Sequence, residues 1–351
     1  MAQVVTLMRP RHITIETLAD PPLAPHEVRV ATLYSGISAG TELAAFRGTS
    51  PHLAKRWDAR QRLFRPDRPA GSAYPLRNLG YEEVGRVVEL GSSVDDLVEG
   101  ELVYGSWGHR SHHVMDAAAA AARRLPDGLE PRLGIFSHIG AVALNGVHDA
   151  RIRIGETVAV YGLGVPGQIV AQLARRSGAR VLGVDPIASR RALAASLRAI
   201  DVGLDPSAGS PAEAIKDLTE GRGADVSLEV SGVTTALHEA IRGSAYAAKV
   251  VAMGFYQGEA RQLALGDEFH HNRVTVVSSQ VSGVDPELSY RWDKARLAAS
   301  AMALQADGTL DLGPLVTHDL PFADAAAAFD LLDRTPAEAL QVVLRFPEAD
   351  A

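Results

Sequence analysis

Over the first third of the chain, apolar and polar residues alternate in short stretches. Positions 3–8, 13–17 and 27–34 read as β-strands, broken by Pro21-Pro22 and Pro25, and further strands are expected at 83–89 and 102–104 beside Gly80, Gly91, Gly100 and Gly105. Between them, 46–77 is polar and basic, carrying Arg47, Lys55, Arg56, Arg60, Arg62, Arg65, Arg68 and Arg77, with one helix expected at 53–63. It reads either as a solvated surface loop or as a lid whose arginines meet an anionic substrate, since guanidinium pairs bidentately with phosphate and carboxylate. The alanine run 117–122 reads as a loop or short helix.

From Glu156 the rhythm changes. Short apolar runs at 157–161, 180–184, 226–230, 249–253 and 274–278 have the look of buried parallel strands, and 168–176, 189–199, 211–220 and 235–240 read as the helices between them. Right-handed crossovers in that order give a doubly wound α/β sheet. Beyond Val284 come helices at 292–305 and 324–332 and a strand at 341–346, which is placed back on the N-terminal β-module. The expected division is therefore a nucleotide-binding domain at 138–284 inserted in a discontinuous β-rich domain at 1–137 and 285–351.

The chain has 351 residues, 46% hydrophobic and 22% charged, which places it among globular enzymes with enough length for two cores. A net charge of -7 gives no basic footprint for nucleic acid. The first residues lack a basic leader and an apolar core, and no apolar run is long enough for a bilayer, so a cytoplasmic protein with no membrane partner is expected. The cysteine count is 0, which removes disulfides, catalytic thiols and thiolate metal sites together.

The strand at 157–161 runs into Gly162-Leu163-Gly164-Val165-Pro166-Gly167 and then a helix, the setting in which a G-x-G-x-x-G turn binds a dinucleotide. Gly162 makes the tight turn, Gly164 admits the pyrophosphate, and Gly167 lets helix and strand approach. The helix N-terminus offers N–H groups to phosphate, and Pro166 is tolerated in its first turn. Asp185, about 20 residues on, is placed to accept the ribose hydroxyls and so favours NAD; Arg190 and Arg191 follow, which keeps NADP as an alternative. Ser231 and Gly254, after the next two strands, complete the expected cofactor-binding set.

With these features in place, the whole chain resembles the medium-chain dehydrogenase/reductase superfamily, whose architecture is a Rossmann sheet inserted in a β-rich GroES-like catalytic domain. Ser35-Gly36-Ile37-Ser38-Ala39-Gly40-Thr41-Glu42 is similar to the superfamily's G-I-C-G-T-D segment, with Ser38 where the zinc-binding cysteine stands. Gly80-Tyr81-Glu82-Glu83-Val84-Gly85 resembles G-H-E-x-x-G, with Tyr81 in place of a zinc-binding histidine and Glu82 kept. The third ligand position falls at Ser137 or His138, and the four-cysteine structural lobe has no counterpart. The resemblance thus implies a zinc-free branch, nearest in pattern to bacteriochlorophyllide a dehydrogenase-like proteins through Gly40-Thr41-Glu42, the insertion before Gly80, Glu268-Phe269-His270-His271-Asn272-Arg273 and Ser278-Ser279-Gln280. His109, His112, His113, His270 and His271 are read as surface or structural histidines rather than a second metal centre.

Without zinc, the developing alkoxide needs another hydrogen-bond donor and its proton another carrier. Tyr81 is assigned the donor role, Glu82 or His138 the proton, and Ser38 and Thr41 a relay; histidine, titrating near 6.5, suits this better than tyrosine near 10. The expected activity is interconversion of a secondary alcohol and ketone on a polyol, sugar or cyclitol, phosphorylated if the arginine lid operates. The alternatives are a redox-neutral epimerase or lyase holding NAD tightly, and a non-catalytic dinucleotide-binding protein. A homodimer is what the resemblance implies.

Overall fold

The computed structural model describes residues 1–66 and 73–347. Its contacts divide the chain into two units, Met1–His138 together with the chain from Leu315 onward, and Ile139–Pro314. In the first, β1 (Ala2–Arg9) and β2 (His12–Leu18) form an antiparallel hairpin. There follow β3 (Glu27–Ile37), helix α1 (Glu42–Arg47), β4 (Arg56–Asp58), β5 (Leu63–Arg65), β6 (Glu83–Leu90), β7 (Leu102–Gly105), β8 (His112–Asp116) and α2 (Ala117–Ala121). The long β3 is the spine of this unit, pairing antiparallel with β6 and, over its first half, with β8. Two register shifts against β6, between Arg29 and Val30 and between Thr32 and Tyr34, bend it as bulges do.

The helix expected at 53–63 is instead a 3-10 turn, Pro51–Leu53, and a hairpin of β4 and β5. Trp57 stands opposite Phe64 with ring centroids 5.0 Å apart, and the Asp58 carboxylate accepts from the Arg60 and Gln61 amides at 3.1 and 3.0 Å. A cross-strand aromatic pair and an aspartate-bound turn favour the hairpin over the expected helix. Arg68, counted in the basic stretch, lies outside the described residues.

The second unit contains most of α3 (Phe136–Ala150), then β9 (Thr157–Tyr161), α4 (Val165–Arg176), β10 (Arg180–Val184), α5 (Ala188–Ser196), β11 (Val202–Leu204), α6 (Pro211–Leu218), β12 (Ala224–Glu229), α7 (Thr234–Gly243), β13 (Ser244–Ala252), α8 (Glu268–His271), β14 (Thr275–Ser278) and α9 (Lys294–Ala306). Six parallel strands lie in the order β11-β10-β9-β12-β13-β14, the doubly wound arrangement whose switch point falls between β9 and β12. Val158, Val160, Val181, Leu182, Leu228, Val250 and Val251 are buried on it, as continuous apolar runs require. Residues 285–314, expected with the first module, pack here instead: a Cβ on Gly140 would stand 2.7 Å from Ala301, and the Gln172 amide holds the Asp311 backbone at 3.0 and 2.9 Å.

The chain then returns to the first unit as β15 (Val316–Pro321), α10 (Ala325–Arg334) and β16 (Gln341–Arg345). β16 pairs parallel with β15 and antiparallel with β3, Val342 opposite Ile37. Helix α10 buries Ala325, Ala328, Phe329 and Leu332, one helical face at three- and four-residue spacing, against Val5, Leu7, Ile37, Leu43 and Phe46. Phe329 meets Phe46 with ring centroids 5.5 Å apart, and Asp333 on the next turn binds Arg47 at 2.5 Å and also Arg11. Among the described residues no helix is long and apolar enough to cross a membrane. Because Phe329 is fully buried, Phe329→Ala should destabilise the first unit by about 3–5 kcal/mol, read as a lower urea midpoint at unchanged slope.

Candidate active site

The end of β9 makes the turn foreseen from the glycines. Gly162 has φ 91°, a conformation open to glycine, and a Cβ there would stand 2.8 Å from the Ser231 side chain at the end of β12. A Cβ on Gly167 would lie 1.8 Å from the Gly162 carbonyl, so α4 can start this close to the strand only with glycine. Gly164 caps α4, and the nearest heavy atom to a Cβ there is an Arg190 nitrogen at 4.0 Å, which leaves the helix N-terminus open to an anion. Val165 and Pro166 form its first turn.

Asp185, at the end of β10, is buried; its oxygens accept from the Leu163 and Ile187 amides, each at 2.8 Å, and the Arg190 guanidinium lies 3.9 Å away. Gly254 passes so near that a Cβ would stand 2.2 Å from the Gly232 nitrogen. Sequence reasoning missed Glu229, at the end of β12. Its buried carboxylate accepts from the Ser231 amide at 2.9 Å and from the Ser231 and Tyr256 hydroxyls, joining the loops after β12 and β13; burial raises its pKa. An acid at the end of a strand of the sheet was the available signal.

In the first unit, β3 ends at Ile37 and Ser38 follows, Thr41 caps α1, and Tyr81 lies two residues before β6. The Tyr81 hydroxyl is hydrogen-bonded to Ser38 Oγ and donates to Thr41 Oγ1 at 3.3 Å, while its ring lies 4.7 Å from that of His138, centroid to centroid. Four of the five residues singled out as catalytic therefore stand together. Burial pushes the Tyr81 phenol well above its usual range, so it holds its proton. Glu82 is fully buried with one carboxylate oxygen lacking a hydrogen-bond partner; burial, with Glu42 and Glu83 nearby, drives its pKa far up and keeps it neutral. A cavity of about 380 Å³ opens beside the group, lined by Thr41, Glu42, Ser50, Arg77, Asn78 and Tyr81 among others.

Beneath these hydroxyls lies a charged cluster that sequence reasoning did not find. His109 Nε2 is 2.7 Å from Glu42 Oε2, and its Nδ1 is 2.6 Å from Ser35 Oγ, which donates to Glu83 at 3.1 Å. Serine has one proton, so giving it to Glu83 means accepting from Nδ1, and His109 donates from both nitrogens as imidazolium. Burial opposes that charge, but Glu42 and then Glu83 overcome it and the His109 pKa is raised. Glu83 itself is lifted by burial to about 7, against the pull of His109 and the Trp107 amide.

The arginines of 46–77 are engaged with acids where the structure describes their partners. Arg47 binds Asp333, Arg65 lies 3.9 Å from Asp58, and Arg77, at the rim of the cavity, binds Glu16 at 2.7 Å.

A dinucleotide-type sheet joined to a β-rich unit that gathers hydroxyl, phenol and imidazole groups defines an alcohol–ketone oxidoreductase of the medium-chain type. The profile of the family described as "Zinc-binding dehydrogenase" matches residues 166–299. The D-guloside 3-dehydrogenase of Escherichia coli K12 is 32% identical over 345 residues, covering 96% of this chain and 98% of that protein. The fold matches the crystal structure of 2R,3R-butanediol dehydrogenase from Bacillus subtilis with a TM-score of 0.77 at 21% identity, over 98% of this chain and 99% of that one. It also matches a protein named short chain alcohol dehydrogenase from E. coli CFT073, solved with NADH, with a TM-score of 0.77 at 18% identity over 98% and 99% of the two chains. The chain belongs to the medium-chain zinc-type dehydrogenase family, and is an enzyme of that class.

The family's zinc does not fit the donors present. Ser38 and Tyr81 are occupied with each other, the Tyr81 phenol is held neutral, and among the described residues no three His, Asp or Glu side chains are grouped to hold a metal ion.

Two outcomes follow. Gly167→Ala should abolish NADH binding in a fluorescence titration, because α4 must move off the Gly162 carbonyl. The raised Glu83 pKa means the folded state keeps a proton the unfolded chain has lost, so its contribution to stability is full below about 4.5 and disappears as pH rises through about 7. In denaturation series, the stability of the wild type relative to Glu83→Gln should fall across that window; a constant difference would contradict the assignment.

Proposed function

We propose that this enzyme is a zinc-independent, NAD(H)-dependent dehydrogenase that interconverts a secondary alcohol and a ketone on a sugar, polyol or cyclitol. The observation that carries the reading is the Ser38–Tyr81–Thr41 hydroxyl group with His138 against Tyr81, at the places where the superfamily pattern has zinc ligands. The resemblance to the bacteriochlorophyllide a dehydrogenase branch supports the same reaction type, oxidation of a ring-borne secondary alcohol. In the oxidation, a nicotinamide held at the glycine turn would take the carbinol hydrogen as hydride, while the O–H proton passes to Tyr81, which gives up its own in the same step. A phenol held this firmly to its proton suits a relay better than a resting base, and the imidazole of His138, packed against the Tyr81 ring, is the acceptor. Ser38 and Thr41 orient the phenol, and neutral Glu82 keeps negative charge away from the developing alkoxide.

Asp185, buried at the end of β10 with an oxygen on the Leu163 amide of the glycine turn, supports NAD over NADP. A neutral substrate is favoured over a phosphorylated one, because Arg47 and Arg77 already have carboxylate partners. The name of the E. coli relative points to the 3-hydroxyl of a glycoside.

The test is a panel of glycosides, polyols and their phosphates with NAD, followed by the absorbance of reduced nicotinamide. Tyr81→Phe should lower kcat by about 10²–10⁴-fold with NADH affinity unchanged, and prolonged treatment with a strong zinc chelator should leave the wild-type rate intact. Activity lost to the chelator and restored by zinc would overturn zinc independence. Silence across the whole panel would overturn the substrate class.

A further inference from the structure

We propose that His109 is a positioning residue that sets the Ser38–Tyr81 hydrogen bond, acting through Glu42 on one side and through the backbone at Gly80 on the other. The inference rests on the reading of Ser38 and Tyr81 as the groups that handle the substrate hydroxyl.

His109 is 1% exposed, in the turn that follows β7. Through Nε2 it holds Glu42 Oε2 at 2.7 Å, and the other oxygen of that carboxylate accepts from the Ser38 amide at 2.8 Å. Glu42 opens α1 while Ser38 ends the run from β3, so this one carboxylate fixes the backbone from which Ser38 Oγ projects. The Gly80 backbone passes close against the same ring: a Cβ at Gly80, where φ is +95°, would stand 2.8 Å from both Cε1 and Nδ1 of His109. Tyr81 is the next residue. The imidazole therefore bears on the backbone supports of both hydroxyls.

The ring is itself held from behind. Ser35 on β3 binds Nδ1 at 2.6 Å, Ser35 is tied to Glu83 on β6 at 3.1 Å, and the second Glu83 oxygen accepts from the Trp107 amide at 2.6 Å. Glycine at position 80 leaves room for this arrangement and for little else. An apolar core residue would fill the volume without desolvating an imidazole and two carboxylates. A polar network this deep fixes one geometry when fully satisfied.

The experiment uses full-length enzyme with ¹³C at tyrosine Cζ, a carbon whose resonance reports hydrogen bonding at the phenol, and identifies the Tyr81 signal by its loss in Tyr81→Phe. His109→Gln retains a donor for Glu42 and loses the link to Ser35; His109→Asn does the reverse. H109Q should keep the wild-type Tyr81 resonance, whereas H109N should move it in the direction taken by Ser38→Ala, and the H109N/S38A double variant should move it no further. For the sugar alcohol found in the panel, kcat of H109N should fall on the order of 10²-fold, with H109Q recovering most of the loss and the double variant no slower than its slower parent. A Tyr81 resonance unmoved in folded H109N, equal behaviour of H109N and H109Q, or rate losses that multiply in the double variant would each overturn the proposal. If one of the two does not fold, the other still decides, since H109Q must keep the resonance and H109N must lose it. If no sugar alcohol is oxidised by the wild type, the functional reading falls while the resonance still judges the positioning role.

Discussion

Taking a carboxylate out of water costs several kcal/mol per ion in real proteins unless partners replace the water, and the first unit buries three of them, Glu42, Glu82 and Glu83, around one short strand end. Each meets the cost differently. Glu42 takes an imidazole and a backbone amide, Glu83 takes a serine and an amide and sits near neutrality, and Glu82 remains protonated. The arrangement at Tyr81 follows from these choices. Gly80 has to be glycine because the His109 ring occupies the space of its side chain, and Gly36 for the same reason, since a Cβ there would stand 2.7 Å from the Glu82 carboxylate.

The second unit shows the complementary economy. Its site is mostly backbone: a turn that only glycine makes, a helix that begins against a carbonyl, and two acids, Asp185 and Glu229, that gather amides at the strand ends. In the first unit side chains bond to side chains and strands hold them; in the second the main chain supplies the donors and side chains hold the main chain.

That contrast decides what could be read from the sequence. The nucleotide-type sheet was legible because its strands are contiguous apolar runs and its glycine turn has strict spacing. The meeting of Ser38 and Tyr81 was legible because both sit inside segments that resemble a superfamily pattern. The His109–Glu42 pair was not, because its members are 67 residues apart and no local rule joins a histidine in a turn to the first acid of a helix. Hairpin β4–β5 was hidden for a related reason: Trp57 and Phe64 act across the strands, seven residues apart along the chain. The placement of 285–314 depended on contacts such as Gln172 with Asp311, invisible in a linear reading.

The pairing of β16 with β3 gives the molecule an order in time. The central strand of the first unit is made early and its neighbour only after the whole second unit has left the ribosome, at a few to some tens of residues per second. During that interval the nucleotide unit can close its own sheet, while one side of β3, with Tyr34, Ser35, Gly36 and Ile37, waits with its hydrogen bonds unmade. The segment that waits is the one that ends at Ser38, so the sheet of the second unit can be complete before Ser38, Tyr81 and Thr41 can come together.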